Sequence, residues 1–260
     1  MSDPLFQALI ESNRRLTDTF ENKANEIDHK VEQTANEIAE TITSNNLVTY
    51  YVDAENGNDE NTGASSRPFK TLKKALRTCS TGSKATIYVA RSQRHILDGE
   101  NVRCYAAFVN IVPWKDNTDT SQSYHYDETT PIVSLEAVLY MYGTIVFGSY
   151  RKTLIVETSE KTPTYGIQFS TAGNFVIARS RLILNLQSDS IPLCGSYFNY
   201  VNPVKVALRE ADIVKTKGFL ARSGCLFSVD VATGFQYTDD VILGADENNT
   251  PSNVPFTPQE

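Results

Sequence analysis

Apolar and small residues recur through the first 46 positions at alternating steps of four and three: Phe6, Ile10, Asn13, Thr17, Phe20, Ala24, Ile27, Val31, Thr34 and Ile38. This spacing is a heptad seam. The stretch holds no Gly, and its one Pro, Pro4, suits the first turn of a helix capped by Ser2 or Asp3. Glu21, Glu26, Asp28, Glu32, Glu37 and Glu40 fill the outside. So narrow a stripe buries too little to hold a lone helix, so the seam asks for copies of itself. The competing arrangement folds the helix back on its own domain. About 42 helical residues at ~1.5 Å each reach ~63 Å, longer than such a domain is wide, which favours copies. Asn13 and Thr17 weaken the seam locally and can set register and strand number, and dimer and trimer stay open on this pattern. The helix is predicted to end at the polar Thr43–Asn46.

Beyond residue 46 the pattern changes to short runs rich in Val, Ile, Tyr and Phe between polar turns. Strands are predicted at Leu47–Val52, Ala85–Ala90, Tyr105–Val112, Ile132–Leu135, Val138–Phe147 and Thr153–Glu157. More follow at Gly166–Phe169, Asn174–Ile177, Leu182–Leu186, Val204–Leu208, Ala211–Val214, Gly218–Ala221 and Cys225–Val231. Alternation is clearest from Val204 to Val214 and from Ser180 to Leu186, where apolar positions fall two apart. A sandwich, a barrel and a β-solenoid all fit this series.

Composition narrows the classes. A chain of 260 residues that is 40% hydrophobic and 21% charged is not disordered over its length. No apolar run approaches the roughly 18 residues of a membrane helix, and the start lacks a secretory signal, so the expectation is accumulation in the cytoplasm that makes the chain, without membrane insertion. The net charge is −7. Residues 1–46 hold four basic residues against nine carboxylates, and the remainder twenty against twenty-two, so neither part offers the basic excess that nucleic acid requires. Cys79, Cys104, Cys194 and Cys225 are too scattered for a zinc pair or a disulfide framework and are expected as buried thiols.

Between the helix and the strand series lies the segment from Tyr50 to Leu76. Tyr50, Tyr51 and Val52 read as a strand. Asn56-Gly57 and Thr62-Gly63 are expected to supply positive φ for two turns, Pro68 extends Arg67, and Thr71 caps a short helix with Leu72, Ala75, Leu76 and Cys79 on one face. Such a helix can plug the open end of a solenoid, where the first coil would otherwise expose its interior. Tyr51, Val52, Gly57, Asp59, Gly63, Pro68, Phe69, Thr71, Leu72 and Ala75 fall at the spacings Tyr-Val, Gly-x-Asp, Gly and Pro-Phe-x-Thr-Leu-x-x-Ala. The segment thereby resembles the opening motif of pectate-lyase-like right-handed β-helix proteins, in particular tailspikes and tail fibres of tailed bacteriophages. The resemblance covers about a tenth of the chain and implies fold more than activity.

What the resemblance implies is a mainly β chain, a right-handed parallel β-helix preceded by a trimeric coiled coil. The divisions are a virion-attachment helix over 1–46, opening strand, loop and capping helix over 47–80, a body over 81–246 and an extended tail over 247–260. The body has room for roughly eight coils of about 25 residues. The implied protein is a structural component of the virion, a short homotrimeric fibre or spike on tail, collar or capsid. Its N-terminal helix meets other virion structural proteins, and host surface glycan is a further partner. The tail, with no apolar period, is expected to lie extended or to wrap a neighbour.

Chemistry is sparse. Polysaccharide cleavage needs two positioned carboxylates, and only Glu210 and Asp212 sit two apart in a strand pattern, which would aim both at one outer face. Arg209 beside them argues for a solvated, ionised patch. The alternatives to a structural role are therefore a polysaccharide depolymerase and a non-cleaving glycan-binding adhesin. Tyr124, His125, Tyr126, Tyr197 and Tyr200 lie in irregular stretches, where aromatics suit sugar or protein contact or pack the loop onto its coil. The residues between Asp53 and Asn61 lack calcium-loop order, no metal spacing or nucleotide fingerprint occurs, and no catalytic residue, metal or cofactor is expected.

Overall fold

A computed structural model describes residues 4–114, 126–149, 152–170, 173–196, 204–230, 239–246 and 248–253, apart from the side chains of 36–45, 230 and 239. The chain divides into two compact units, 1–45 and 46–260. The first is one helix, α1 (Pro4–Asn46). Its residues 4–35 are all exposed, including Phe6 at 61%, Phe20 at 67% and Val31 at 63%. Side-chain pairs along its surface, Arg15 with Glu11 and Lys23 and Lys30 with Glu26, are exposed and screened by solvent, so they add little. Nothing within the helix buries the apolar stripe.

The second unit opens with β1 (Leu47–Val52) and α2 (Leu72–Thr78) and then repeats a three-strand turn five times. The turns are β2 (Lys84–Val89), β3 (Arg94–Leu97) and β4 (Val102–Cys104); β5 (Phe108–Pro113), β6 (Ile132–Leu135) and β7 (Leu139–Met141); β8 (Thr144–Phe147), β9 (Ile155–Thr158) and β10 (Ile167–Phe169). They continue as β11 (Asn174–Ala178), β12 (Arg181–Asn185) and β13 (Cys194–Ser196), then β14 (Lys205–Arg209), β15 (Asp212–Lys217) and β16 (Ala221–Arg222). Strands β17 (Leu226–Asp230) and β18 (Ile242–Leu243) finish the series. First strands of successive turns form a seven-stranded sheet in the order β1-β2-β5-β8-β11-β14-β17. Second strands form a five-stranded sheet, β15-β12-β9-β6-β3, and third strands a four-stranded one, β13-β10-β7-β4, with β16-β18 as a separate pair. All these strand pairings are parallel. The unit is thus a β-helix-like stack, and sandwich and barrel drop out because parallel neighbours require a crossover through the other sheets.

Parallel register puts like positions above one another. In the first sheet Ile87, Ile111, Phe147, Ile177 and Leu208 form one inward row, fully buried or nearly so. Each inward row extends one continuous core at roughly 25 cal/mol per Å² of apolar area removed from water. The expected strand Val138–Phe147 is two, β7 and β8, in different sheets. Strands β3, β4, β13 and β18, two to four residues long, carry too few positions to show alternation and were not foreseen. Among the described residues the stack has five full turns between the first-sheet strands β1 and β17, fewer than about eight, because loops between strands lengthen several turns beyond 25 residues.

Both ends of the stack are closed by the chain itself. Leu72, Ala75 and Leu76 of α2 are buried on the first turn, packed against β4. At the other end Phe227 N donates to Pro251 O at 3.0 Å, and Asn253 bridges Val229 through both amide atoms, at 2.8 and 2.7 Å. Residues 251–253 therefore lie extended along the outer edge of β17 and satisfy part of it. An unpaired edge would otherwise recruit another chain, and the tail's own backbone is the nearest partner.

Candidate functional site

The ten motif residues form one structural device. Phe69 N donates to Tyr51 O at 2.9 Å and Asp53 N to Phe69 O at 2.9 Å, so the loop returns beside β1. Asp59 accepts from the backbone N of Lys70 and Thr71, at 3.0 and 2.9 Å, and from Thr71 Oγ1 at 2.8 Å. Thr71 Oγ1 in turn accepts from Lys74 N at 3.1 Å, the expected N-cap. Val52, Phe69, Leu72 and Ala75 are buried, Pro68 is half-buried, and Gly63 has the expected positive φ of 78°. Gly57 departs from expectation. It is needed for close approach rather than for φ, because a Cβ there would fall 2.2 Å from Phe69 O. Burial pushes the Asp53 carboxyl upward, but bonds from Asn56, Gln93 and Glu55 outweigh it and hold the group below its usual range. These acids serve their own loop.

Glu210 and Asp212 do not share a strand. Glu210 stands at the corner between β14 and β15 with φ +51°, above Arg179, which has φ +50° at the preceding corner. Glu210 is ion-paired with Arg179, and Asp212 Oδ2 lies 3.3 Å from Arg181 Nη2. Arg94 and Glu157 form a further pair along the five-stranded sheet. Glu210 and Asp212 each face a guanidinium of the adjacent turn, and Glu157 faces one two turns away, an arrangement that splits no pair into acid and base. The sequence signal for this ladder is a spacing of one or two turns, invisible until the turns are aligned.

Of the residues suggested for surface contact, Tyr124, His125, Tyr197 and Tyr200 lie outside the described residues. Tyr126 is half-buried, with the Arg181 guanidinium 4.2 Å from its ring centre. Burial, then the nearby Asp212, raises its phenol well above the ordinary range. Tyr126 thus packs against Arg181 of the coil. The seam residues Phe6, Ile10, Asn13, Thr17, Phe20, Ala24, Ile27, Val31 and Thr34 are all exposed, with Thr17 Oγ1 donating to Asn13 O at 3.0 Å. The Ile38 side chain lies outside the described residues.

Two features went unnoticed in the sequence. Tyr51 stacks on Tyr88 at 5.0 Å between centroids and meets Trp114 at 4.8 Å, and Lys152 Nζ lies 4.9 Å above the Tyr88 ring. These half-buried rings share the outer side of the seven-stranded sheet. Further along that side runs an open groove of about 550 Å³ lined by Asn110, Thr144, Asn174, Arg179, Lys205 and Glu210. Asn174 Nδ2 donates to Thr144 Oγ1 at 2.9 Å, and among the described residues Asn110 Oδ1 is buried without a hydrogen-bond partner. The groove thus presents both donors and acceptors. Among the described residues no three metal-ligating side chains come together, and no helix is long and apolar enough to cross a membrane.

The chain is therefore of the class of mainly β proteins with stacked parallel sheets and one long N-terminal helix. Compared with known proteins, it matches no family model, no curated protein and no solved structure.

Proposed function

We propose that this chain is a structural virion protein of a tailed bacteriophage, a short homotrimeric fibre or spike that aids host attachment. In this reading the second unit is a right-handed parallel β-helix and α1 is one strand of a trimeric coiled coil that also meets other virion proteins. The observation that carries it is a helix of 43 residues whose apolar stripe is exposed along its described length. Such a helix is stable in water only when copies cover the stripe. The opening motif, with its buried and hydrogen-bonded residues, supports the β-helical half. Sedimentation of the purified chain should give about three times 28.9 kDa, and mass spectrometry of purified particles should find it there. A monomer would remove the basis of the trimer, and absence from particles that of the virion role.

A second reading, a glycan-binding adhesin, is favoured by the Tyr51–Tyr88–Trp114 cluster and the groove beside it, since aromatic faces and amide donors suit sugars. A depolymerase would instead release reducing ends from host polysaccharide. The pairing of Glu210 and Asp212 with arginines speaks against that chemistry at this pair.

A further inference from the structure

Two of the four buried thiols meet where the capping helix joins the first turn. Cys79, the C-cap of α2, is 5% exposed, and Cys104, the last residue of β4, is 0% exposed. The segments that carry them run side by side. Arg77 Nη2 donates to Asn101 O at 2.9 Å on one flank, and Gly82 N donates to Tyr105 O at 3.0 Å on the other. Between these crosslinks the two buried thiols lie within reach of each other, with Cys79 Sγ donating to Ala75 O at 3.3 Å. The neighbouring Cys104 sulfur, then burial, push the Cys79 thiol far above the ordinary range. Each cysteine nevertheless adjoins surface: Ser80, Thr81 and Gly82 follow Cys79, and Tyr105, 38% exposed, follows Cys104.

We propose that Cys79 and Cys104 are a latent disulfide, reduced where the chain is made and closed by oxidation into a bond that fastens α2 to β4. The reaction is thiol–disulfide exchange with a small oxidised disulfide. One thiol of the pair loses its proton and its sulfur attacks the reagent, forming a mixed disulfide and expelling one reagent thiolate. The second sulfur, also deprotonated, then displaces the other half. One S–S bond in the reagent is exchanged for one in the protein; the two protons and two electrons leave with two molecules of reduced reagent. A reducing cytoplasm keeps the pair open, and an oxidising exterior closes it. The consequence is mechanical. Leu72, Ala75 and Leu76 cover the first turn of the core, so the bond holds in place the helix that would otherwise open first. The inference does not rest on the virion role.

The experiment incubates the full chain with oxidised glutathione, in buffer and again just below its denaturation transition so that slow access is not mistaken for inertness. Free thiols are then blocked and peptides mapped without reduction. Expected are a peptide joining Cys79 to Cys104, a mass roughly 2 Da lower, and an unfolding midpoint several degrees higher that dithiothreitol reverses. Cys79→Ser and Cys104→Ser should each abolish the crosslink and the rise. Four reactive thiols remaining after both incubations, a link between Cys194 and Cys225 alone, or links only between chains would overturn the proposal.

Discussion

The carboxylate of Asp59 reaches twelve residues along the chain to hold Thr71, accepting from its hydroxyl at 2.8 Å and its backbone N at 2.9 Å. The same hydroxyl caps α2, so loop and helix are one hydrogen-bonded unit. Asp59→Ala removes these bonds together with that from Lys70 N and should cost about 1–3 kcal/mol. Thr71→Ala should cost about 1–2 kcal/mol, and the double variant less than the sum, because the two share a bond. Urea unfolding of the four proteins checks this, and strict additivity would count against a single unit.

Gly57→Ala places a Cβ 2.2 Å from Phe69 O, and the Phe69 backbone that must move is itself bonded to β1, its N donating to Tyr51 O. A loss of about 2–4 kcal/mol is expected, well above the ~0.5–1 kcal/mol by which alanine normally improves on glycine. A neutral or stabilising substitution, read from thermal midpoints, would mean that Gly57 does not approach the Phe69 carbonyl this closely.

The seam can be tested without touching the strands. Phe20→Asp with Ile27→Asp puts charge at two exposed positions of the stripe. The double variant should sediment as a monomer of 28.9 kDa while keeping the β signal of the native chain. Retention of the native mass would place the association elsewhere.

His95 gives a pH dependence with a defined sign. Its Nε2 donates to Ala90 O at 2.9 Å, while Nδ1 is buried without a hydrogen-bond partner among the described residues. Burial lowers its pKa, with Ala90 and Asp53 opposing that shift. The unfolded chain takes up this proton near the ordinary value of about 6.5 and the folded chain only below it. Stability from this group is therefore constant well above pH 6.5 and falls as pH drops through that value toward the lowered folded pKa. Asp53 and Asp127, both held low, add their loss only as pH falls below about 4. His95→Gln should flatten the slope between pH 7 and 5 and leave the acid limb unchanged. An unaltered slope would assign it to another group.

Glu210→Gln and Asp212→Asn should each lower stability by no more than about 1–2 kcal/mol and leave host attachment intact, since each carboxylate serves an arginine of the neighbouring turn. Reducing-end release from host polysaccharide that either change abolishes would transfer the function to this pair.

What the sequence by itself determined are the features whose physics is local. Helix α1 follows from a 3.5-residue period and the absence of breakers, and the opening loop from side chains that bond backbone within about a dozen residues. Strands such as β12 and β14 are long enough to show alternation. The tertiary structure decided what depends on residues one turn apart. Val204 to Val214 reads as one alternating run, yet it bends at Glu210, because the left-handed corner there stacks on that at Arg179 and the two side chains pair. Likewise β4, three residues long, exists because Val102 and Cys104 pair with Leu139 and Met141 of the next turn. Strand energy resides in cross-strand bonds and shared burial, and the partners for these lie about 20 to 40 residues away, beyond the reach of any local pattern.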